Sequence, residues 1–523
     1  MNNNTEIDLQ FILSLIKEYG GVKRLGHIFQ TPQNEYYYDS GTGKVICLES
    51  DEYAFLKWLF NEENNHTYEN FQLHIGKNDV VSNMRKVISD EHLFKAPFKN
   101  HFISPPHKED LDEAMQSKMQ MITLELTEKC NLRCEYCIYN DRFDKVRQFS
   151  ENEMSIETVK TAIDLLAKNG EDEIAITFYG GEPLLRFDLI KYAVEYAQKS
   201  ISDKKLIFSM TSNMTLMTKE MANFFASVDG FSVVCSIDGP EDVHNSYRRY
   251  ANGAGSFNDA FQGLKYLAES CIERYGSNYE TEVESRIQLS MVFAPPFTRE
   301  KASKIQKFFD DISDWLPSNV VKTVSYTERG TVDESIFLKY GEKITDDNII
   351  WDPLIDWTMD GYDNQEGAQK MFSKKIMTDT LLRIHNRPLL VEPDQAPGLN
   401  GCCVPGLRRS YICANGDIKP CEKMGICPSI GNVYTGLNKN RIAKIYVDDY
   451  EKESIQDCND CWAYNICGVC YMKCYSELSF DIEKKRKKCA GALIQASGYL
   501  VLYHHILETA PETLNYLNDV VIT

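Results

Sequence analysis

The chain has 523 residues, 43% of them hydrophobic, and a formal net charge of −20 at pH 7. This length suggests about three domains, each large enough to bury its own core. A surface this acidic repels phosphate backbones and anionic lipid headgroups, so we expect no nucleic-acid partner and no membrane surface. The first residues lack the basic and apolar blocks of a secretory signal, and polar side chains interrupt the apolar stretch 492–507. We therefore expect a cytoplasmic protein without a membrane span.

Residues 1–105 predict a small α+β domain that resembles a winged helix. A first helix is followed by two strands, which a Gly-Thr-Gly turn joins as a hairpin. The predicted elements are a helix over 7–19, strands over 35–39 and 44–48, and a helix over 51–60. The stretch 97–106 is rich in Pro, His and Lys, a composition typical of a linker.

Residues 106–327 alternate between strand-like and helical segments. Six such alternations predict an α/β fold with a parallel sheet and outer helices, arranged as an open sheet or as a partial barrel. Strands are predicted over 121–126, 173–179, 206–210, 231–237, 286–293 and 320–326, and helices over 156–168, 187–198, 219–226, 257–270 and 300–311. Parallel strands place functional residues at their C-terminal ends.

The remaining residues divide into two segments. Residues 328–400 lack a regular pattern, and we predict that they bridge two domains. Residues 401–523 are rich in Gly, Cys and Pro, which predicts a loop-rich domain organised by metal, with one helix after Cys489.

Seventeen cysteines are the most informative feature of the composition. Disulfides are disfavoured in a reducing compartment, so metal binding or redox chemistry explains this number better. Three cysteines lie within eight residues near position 130, and eleven lie between 402 and 489. The isolated Cys47, Cys235 and Cys271 are predicted to be small buried hydrophobic residues.

The first cysteine group follows the first strand of the α/β domain. Cys130, Cys134 and Cys137 on one loop can hold three irons of a cubane and leave the fourth iron open to a substrate. A fully ligated cluster can only pass electrons, so the open iron indicates a cluster that activates a bound molecule. The alternatives are a zinc site that lacks a ligand and a cluster of reactive thiols.

The spacing Cys-x3-Cys-x2-Cys, with the aromatic Tyr136 before its last cysteine, resembles the signature of the radical S-adenosylmethionine (SAM) superfamily. The resemblance covers about residues 121–326 and implies a partial (β/α)6 barrel, a [4Fe–4S] cluster and SAM. Its motif for the amino group of SAM matches Gly180, Gly181, Glu182 and Pro183. Glycines permit close backbone approach, and Glu182 offers a carboxylate to an ammonium group. The alternative is an ordinary turn between strand and helix.

Further polar residues end the third and fourth strands of this domain. The resemblance implies that these positions contact the ribose and the carboxylate of SAM, and the residues concerned are Ser212, Asn213, Ser236, Asp238 and Arg248. The alternatives are plain turn chemistry, which Asn, Asp and Gly also favour, and a solvent-exposed arginine at position 248.

The C-terminal cysteines resemble a SPASM domain, the auxiliary-cluster module of peptide-modifying radical SAM enzymes. This resemblance implies two auxiliary [4Fe–4S] clusters, and zinc sites with Cys-x2-Cys pairs are the alternative. The nearer cluster would take Cys403, Cys421 and Cys470, and the outer one Cys458, Cys461, Cys467 and Cys489. The spacing Cys467-x2-Cys470 is one residue short of the family pattern, and Cys402, Cys413, Cys427 and Cys474 are surplus. The fourth ligand of the nearer cluster stays open between Cys402, Cys413, Cys474 and no protein ligand.

The resemblance also implies a reaction. A reduced cluster cleaves SAM to a 5′-deoxyadenosyl radical, which removes hydrogen from an unactivated carbon of a precursor peptide with a leader sequence. A flavodoxin or a ferredoxin would supply electrons, and the oxygen sensitivity of reduced clusters implies an anaerobic enzyme. The leading hypothesis is a thioether-forming peptide maturase, similar to sactipeptide and ranthipeptide synthases.

Four alternatives to the thioether hypothesis remain. Two are enzymes of the same class: a carbon–carbon (cyclophane) crosslinking maturase and a formylglycine-generating sulfatase maturase. The third is a non-catalytic iron–sulfur electron carrier or peptide-binding protein, and the fourth is a zinc-stabilised binding module. The sequence identifies no catalytic acid or base.

Overall fold

The computed structural model describes residues 2–61, 63–100, 115, 118–137, 139, 148–276, 285–316, 320–327, 371–394, 403–471 and 474–520. Most of the predicted bridging segment 328–400, the end of the predicted linker and Cys402 lie outside these residues. Within the described part of the chain, none of the helices combines the length and the apolar character that crossing a membrane requires.

The N-terminal unit consists of a small antiparallel sheet and five helices. Its strands are β1 (Gly26–Gln30), β2 (Glu35–Asp39) and β3 (Val45–Leu48), and its helices are α1 (Asn2–Glu18), α2 (Val22–Leu25), α3 (Ser50–Leu59), α4 (Tyr68–His74) and α5 (Asn78–Asp90). The sheet order is β1-β2-β3. The hairpin predicted from the sequence joins β2 to β3, and β1 is an additional strand. The buried Asp39 carboxylate holds the turn, because it accepts hydrogen bonds from the backbone N–H and the hydroxyl of Thr42, both at 2.9 Å.

The central domain is a parallel sheet whose strands neighbour one another in chain order. The strands are β4 (Met119–Thr127), β5 (Gly170–Gly180), β6 (Lys205–Ser212), β7 (Phe231–Ser236), β8 (Ile287–Phe293) and β9 (Val321–Tyr326). The helices are α6 (Ile156–Asn169), α7 (Phe187–Ser200), α8 (Lys219–Ser227), α9 (Glu241–Tyr247), α10 (Phe257–Tyr275) and α11 (Arg299–Ile312). Sequential order without a switch point is that of a barrel rather than of an open doubly wound sheet. The prediction of an α/β partial barrel is therefore confirmed.

Hydroxyl side chains mark where several outer helices begin. Ser155 accepts a hydrogen bond from Thr158 N at the start of α6, and Thr218 and Thr298 do the same for α8 and α11. Such caps satisfy backbone donors that the first turn leaves unpaired. Each helix then buries one apolar face against strands whose inward side chains are fully buried, and this packing holds the strand ends in place.

The C-terminal domain adds strands to the same sheet. Its strands are β10 (Arg409–Ile412), β11 (Asp417–Lys419), β12 (Gly431–Asn432) and β13 (Gly436–Leu437), and its helices are α12 (Met371–His385), α13 (Lys439–Arg441), α14 (Asp449–Asn459) and α15 (Ile482–Thr509). A π-helical segment spans Ile442–Asp448, and 3₁₀ segments span Pro183–Arg186, Tyr464–Ile466 and Pro511–Asp519. Strand β10 pairs in parallel with β4, so the described residues form one sheet of ten strands. The sequence predicted mainly loops here, because strands of two to four residues leave little periodic signal.

The N-terminal sheet packs against α15. Phe29 and Tyr36 contact the ring of His504, with centroids 5.3 and 5.2 Å apart. Of the three isolated cysteines, Cys235 and Cys271 are fully buried, as predicted. The prediction for Cys47 is wrong, because this residue is exposed on β3, an edge strand of the N-terminal sheet.

Candidate active site and cluster sites

The loop with the first three cysteines follows β4 and is held by a second segment of the barrel. The backbone N–H of Arg133 donates to the carbonyl of Arg249 (2.7 Å), and that of Glu135 donates to the carbonyl of Tyr247 (3.1 Å). The chain that follows α9 therefore fixes the shape of this loop at the C-terminal end of the sheet.

The three thiols of this loop lie close enough to influence one another. Burial raises the pKa of Cys130, and the Glu182 carboxylate and the thiols of Cys134 and Cys137 raise it further. Burial also raises the pKa of Cys134 to about 12, although the Arg248 guanidinium acts in the opposite direction. Buried thiols that resist ionisation in one another's presence suit a bound metal, because the metal stabilises the thiolate form.

Two glycines bring the end of β5 against the start of the cysteine loop. A Cβ on Gly180 would lie 2.3 Å from the carbonyl oxygen of Thr127, and one on Gly181 would lie 2.0 Å from that of Lys129. Gly180 also has a φ of +133°, which L side chains rarely adopt. The N–H of Gly181 donates to the Thr127 carbonyl (2.8 Å), so the two backbones are in direct contact. The predicted SAM motif and the predicted cluster motif therefore adjoin.

Glu182 lies fully buried at the end of this glycine turn, where its carboxylate accepts three hydrogen bonds. The donors are the Ser212 hydroxyl (2.8 Å), the Asn213 N–H (2.8 Å) and the Leu184 N–H (3.0 Å), just after Pro183 opens a 3₁₀ turn. Burial raises the pKa of Glu182, and these donors oppose the rise. Ser212 and Asn213, predicted at the ribose of SAM, thus orient the carboxylate that the sequence predicts for its ammonium group.

Asp238 anchors a second buried network at the end of β7, beyond Ser236. Arg248 Nε donates to its Oδ2 (3.0 Å), the Tyr136 hydroxyl donates to the same oxygen, and Val292 N donates to Oδ1 (3.0 Å). Burial alone would raise the pKa of Asp238, but the Arg248 guanidinium and the other donors hold it below its ordinary value. Arg248 is only 8% exposed, so the alternative of a solvent-exposed arginine is wrong.

Four cysteines of the C-terminal domain form one electrostatically coupled group. Burial raises the pKa of Cys461 to about 12, and the thiols of Cys467, Cys458 and Cys489 add to the rise. Burial also raises the pKa of Cys489; Lys485 opposes this, and Cys458 and Cys467 add to it. The structure thus brings together the four cysteines that the SPASM resemblance assigns to the outer cluster.

A second group lies beside this quartet. Burial raises the pKa of Cys421 to about 11. The Glu422 carboxylate and, more weakly, the Cys470 thiol also act to raise this pKa. Burial raises the pKa of Cys474 to about 12, against the effect of Lys485, and both Cys489 and Cys470 contribute to the rise. Cys470 therefore lies near both Cys421 and Cys474.

The remaining predicted ligands are less clearly grouped. Cys403 is exposed, and its carbonyl accepts a hydrogen bond from the Tyr471 hydroxyl. Cys413 lies in the turn between β10 and β11, and Cys427 is buried in the main hydrophobic core. Cys402 is outside the described residues.

Across the described residues, no three His, Cys, Asp or Glu side chains converge as the ligands of a single metal ion would. The ligands of a four-iron cubane bind different iron atoms, so a cubane does not require such convergence on one point.

Sequence reasoning missed a buried carboxylate beneath the cysteine loop. Glu125 on β4 is 2% exposed and accepts hydrogen bonds from the hydroxyls of Tyr139 (2.8 Å) and Tyr411 (2.7 Å) and from Ala414 N (3.2 Å). Since Tyr139 follows the cysteine loop and Tyr411 lies on β10, Glu125 joins the barrel to the C-terminal domain. Its only signal in the sequence is a single acid within an apolar strand.

Comparisons with known proteins identify the domain that carries the first cysteine loop. Residues 124–279 match the family model of the radical SAM superfamily. The serine-type anaerobic sulfatase-maturating enzyme of Bacteroides thetaiotaomicron is 32% identical over 146 residues, which are 28% of this chain and 35% of that protein. A cysteine-type anaerobic sulfatase-maturating enzyme of Clostridium perfringens is 22% identical over 401 residues, which are 75% of this chain and 96% of that protein.

The fold is also found among solved structures. Native anSMEcpe with bound AdoMet and Cp18Cys peptide superposes with a TM-score of 0.51 at 17% identity, covering 77% of this chain and all of that one. The chain spans 35 to 50% of the length of the first curated relatives that it matches.

Proposed function

We propose that this chain, which carries a radical SAM domain at residues 124–279, is a peptide maturase. The proposed reaction joins a Cys sulfur to a carbon of a ribosomally synthesised precursor peptide and so forms a thioether crosslink, with a net loss of two hydrogens. The observation that carries the proposal is the three-cysteine loop in the barrel together with two further groups of partly or fully buried cysteines in the C-terminal domain. One site would activate the substrate, and the other two would exchange electrons.

Cys130, Cys134 and Cys137 would hold three irons of the first [4Fe–4S] cluster. When bound, this cluster and SAM supply the radical that removes hydrogen from an unactivated carbon. Glu182 offers its oriented carboxylate to the ammonium group of SAM, and the Asp238 network anchors the cysteine loop through Tyr136.

The auxiliary clusters would occupy the two groups in the C-terminal domain. The outer cluster would use the quartet, Cys458, Cys461, Cys467 and Cys489. For the nearer cluster we propose Cys474 as the ligand beside Cys403, Cys421 and Cys470. Support comes from its mutual influence with Cys470, which itself neighbours Cys421.

The substrate would be a peptide that is recognised in part through its leader. A protein of the same fold binds AdoMet and the Cp18Cys peptide, and this chain is longer than that one. In the described residues no strand pairs with the outer side of β3, where Cys47 is exposed. A free sheet edge can take up an extended peptide as an added strand, with main-chain hydrogen bonds for affinity.

Iron analysis tests the cluster assignment. The protein is reconstituted anaerobically beside a Cys130→Ala/Cys134→Ala/Cys137→Ala variant, and iron and acid-labile sulfide are measured. Three cubanes predict about twelve irons in the parent and about eight in the variant. With dithionite in place of a flavodoxin or ferredoxin, only the parent should cleave SAM. Zinc in place of iron, or near-zero iron in the variant, would overturn the auxiliary-cluster assignment.

Mass spectrometry tests the reaction. The probe is a Cys-containing precursor peptide that carries its leader sequence, incubated with SAM, reductant and the reconstituted protein. A loss of two hydrogens per crosslink, with the thiol no longer open to alkylation, is expected. The same peptide without its leader should be modified much more slowly, and equal rates would remove the proposed role of the N-terminal unit.

A sulfatase maturase is the second candidate, because curated relatives with that activity align with this chain. It would convert a Cys or Ser residue of a sulfatase peptide to formylglycine, and it would leave the precursor peptide unchanged. A loss of two hydrogens with the thiol still open to alkylation would instead indicate a carbon–carbon crosslink. Either result would sink the thioether assignment while keeping the radical SAM chemistry.

A further inference from the structure

A lysine side chain is buried among the cysteines of the C-terminal domain. Lys485, near the start of α15, is 2% exposed, and its Nζ donates a hydrogen bond to the Cys458 sulfur at 3.1 Å. The same ammonium group lies 5.5 Å from the centroid of the Tyr450 ring. Burying an ammonium group is costly unless partners compensate for its lost hydration, so these neighbours account for its position.

The ammonium group therefore contacts a proposed ligand of the outer quartet directly. Its N–H···S hydrogen bond reaches the sulfur of Cys458, so the positive charge lies at the edge of the proposed outer cluster site.

Neighbouring charges on α14 and α15 are arranged differently. Asp457 also influences Cys458, but its carboxylate is paired with Arg486 (2.7 Å) at the surface. Lys484 Nζ donates a hydrogen bond to the Tyr475 carbonyl oxygen (2.9 Å). Lys487 is exposed. Among these residues, Lys485 alone presents a buried positive charge to the sulfur of a proposed cluster ligand.

We infer that Lys485 is a positioning residue that raises the reduction potential of the outer auxiliary cluster. This inference rests on the proposed function, because it requires the quartet to hold a [4Fe–4S] cluster. Reduction adds one negative charge to a cluster, and a nearby cation and an N–H···S hydrogen bond stabilise the reduced form. The quartet is then suited to accept an electron rather than to deliver one.

The electron balance of the proposed reaction explains why a more positive reduction potential of the outer cluster would be useful. Hydrogen abstraction leaves one unpaired electron on the peptide carbon. Formation of the C–S bond breaks the S–H bond, sends the thiol proton to water and releases one electron. An oxidised [4Fe–4S] cluster held by the quartet would take up that electron, and the more positive potential that Lys485 gives it would favour this transfer.

Potentiometric titration followed by electron paramagnetic resonance tests the inference. The background is the Cys130→Ala/Cys134→Ala/Cys137→Ala protein, in which only auxiliary clusters can contribute a signal. Lys485→Met removes the charge at similar volume, Lys485→Arg keeps it, and Lys487→Met is the matched control on the exposed face of α15. Iron per chain is measured for all four proteins.

Lys485→Met should retain the iron content of the background protein. Of the two auxiliary midpoint potentials, we assign the more positive one to the outer cluster. In Lys485→Met this potential should become more negative by at least about 59 mV, which for one electron is a tenfold change in the ratio of reduced to oxidised cluster. Lys485→Arg and Lys487→Met should keep the parent midpoint. An unchanged midpoint with full iron would overturn the inference, and so would iron loss on Lys485→Met alone, which would make Lys485 a structural residue. Absence of iron from the background protein would instead mean that the cluster assignment itself has failed.

Discussion

His27 and Trp462 stack face to face, with ring centroids 4.2 Å apart and an angle of 8° between their planes. His27 belongs to β1 of the N-terminal unit, whereas Trp462 directly follows Cys461 of the outer quartet. The Ser40 hydroxyl also donates to the Trp462 carbonyl (2.8 Å). The N-terminal unit, proposed to bind the leader peptide, is therefore packed directly against the loop that would carry the outer cluster.

A buried arginine, Arg24, adds a polar connection to this contact. Its guanidinium is 1% exposed and donates to the carbonyls of Asn459 (2.6 Å) and Tyr19 (2.6 Å). Arg24→Met leaves those carbonyls without their charged donor and should lower the free energy of unfolding by about 2 kcal/mol. Because Asn459 follows Cys458, iron should also leave the reconstituted variant faster.

Urea unfolding and the rate of iron release to a chelator measure these two effects. Lys17→Met, at an exposed position on α1, is the control. Equal release rates from Arg24→Met and Lys17→Met would show that the contact does not support the outer cluster site.

Gly181→Ala should damage the first cluster site selectively. The added Cβ would meet the Lys129 carbonyl oxygen at 2.0 Å, so the backbone before Cys130 must move. We expect the variant to lose about four irons and SAM cleavage, and to keep the auxiliary iron. Gly491→Ala is the control, because a Cβ there meets no atom within 4 Å and alanine favours a helix by about 1 kcal/mol. Full iron and normal SAM cleavage in Gly181→Ala would contradict the close approach of the two motifs.

Local patterns account for most of what the sequence predicted correctly. Strand β2 has the bounds predicted from its flanking turn and its residue types, because both signals lie within a few neighbouring residues. The grouping of the quartet also came from local spacings, through the resemblance to a SPASM domain, and its role as a cluster site stays a prediction. In contrast, the pairing of β10 with β4 joins segments almost 300 residues apart, and nothing local encodes it.

The site residues that the sequence did not reveal depend on such distant contacts. Glu125 is held by Tyr411, and Lys485 meets Cys458 from the next helix along the chain. A lysine in a Lys-rich stretch, Glu483–Lys488, gives no sign that one of its members is buried. The helical period places Lys485 on the inward face, but only the docked loop supplies the sulfur that it contacts.

Asp238→Asn should weaken both the barrel and the SAM site. The substitution removes the charge that compensates the buried Arg248 guanidinium, and breaking such a pair costs about 3 kcal/mol. Tyr136 loses its charged acceptor at the same time, so SAM affinity should fall. Equilibrium binding of SAM and urea unfolding are the measurements, with Asp229→Asn as a control because the Asp229 side chain is 93% exposed. Unchanged SAM affinity in Asp238→Asn would remove Asp238 and Tyr136 from the proposed cofactor site.

His504 should make stability depend on pH. It is 5% exposed between α15 and the N-terminal sheet, and burial lowers its pKa to about 4. The unfolded chain takes up this proton near the ordinary pKa of about 6.5, whereas the folded chain resists protonation until about pH 4. The contribution of His504 to stability is therefore complete above about pH 6.5 and is lost as the pH falls through this window.

Comparison with His504→Phe isolates this contribution. Between about pH 7 and about pH 5, the parent should lose about 2 kcal/mol more unfolding free energy than the variant. The carboxylates and the other histidines titrate in both proteins, so their effects cancel in the difference. Urea unfolding at the two pH values measures it, and His74→Asn, at an exposed position on α4, should follow the parent. The same loss in His504→Phe as in the parent would mean that His504 is not held neutral between α15 and the N-terminal sheet.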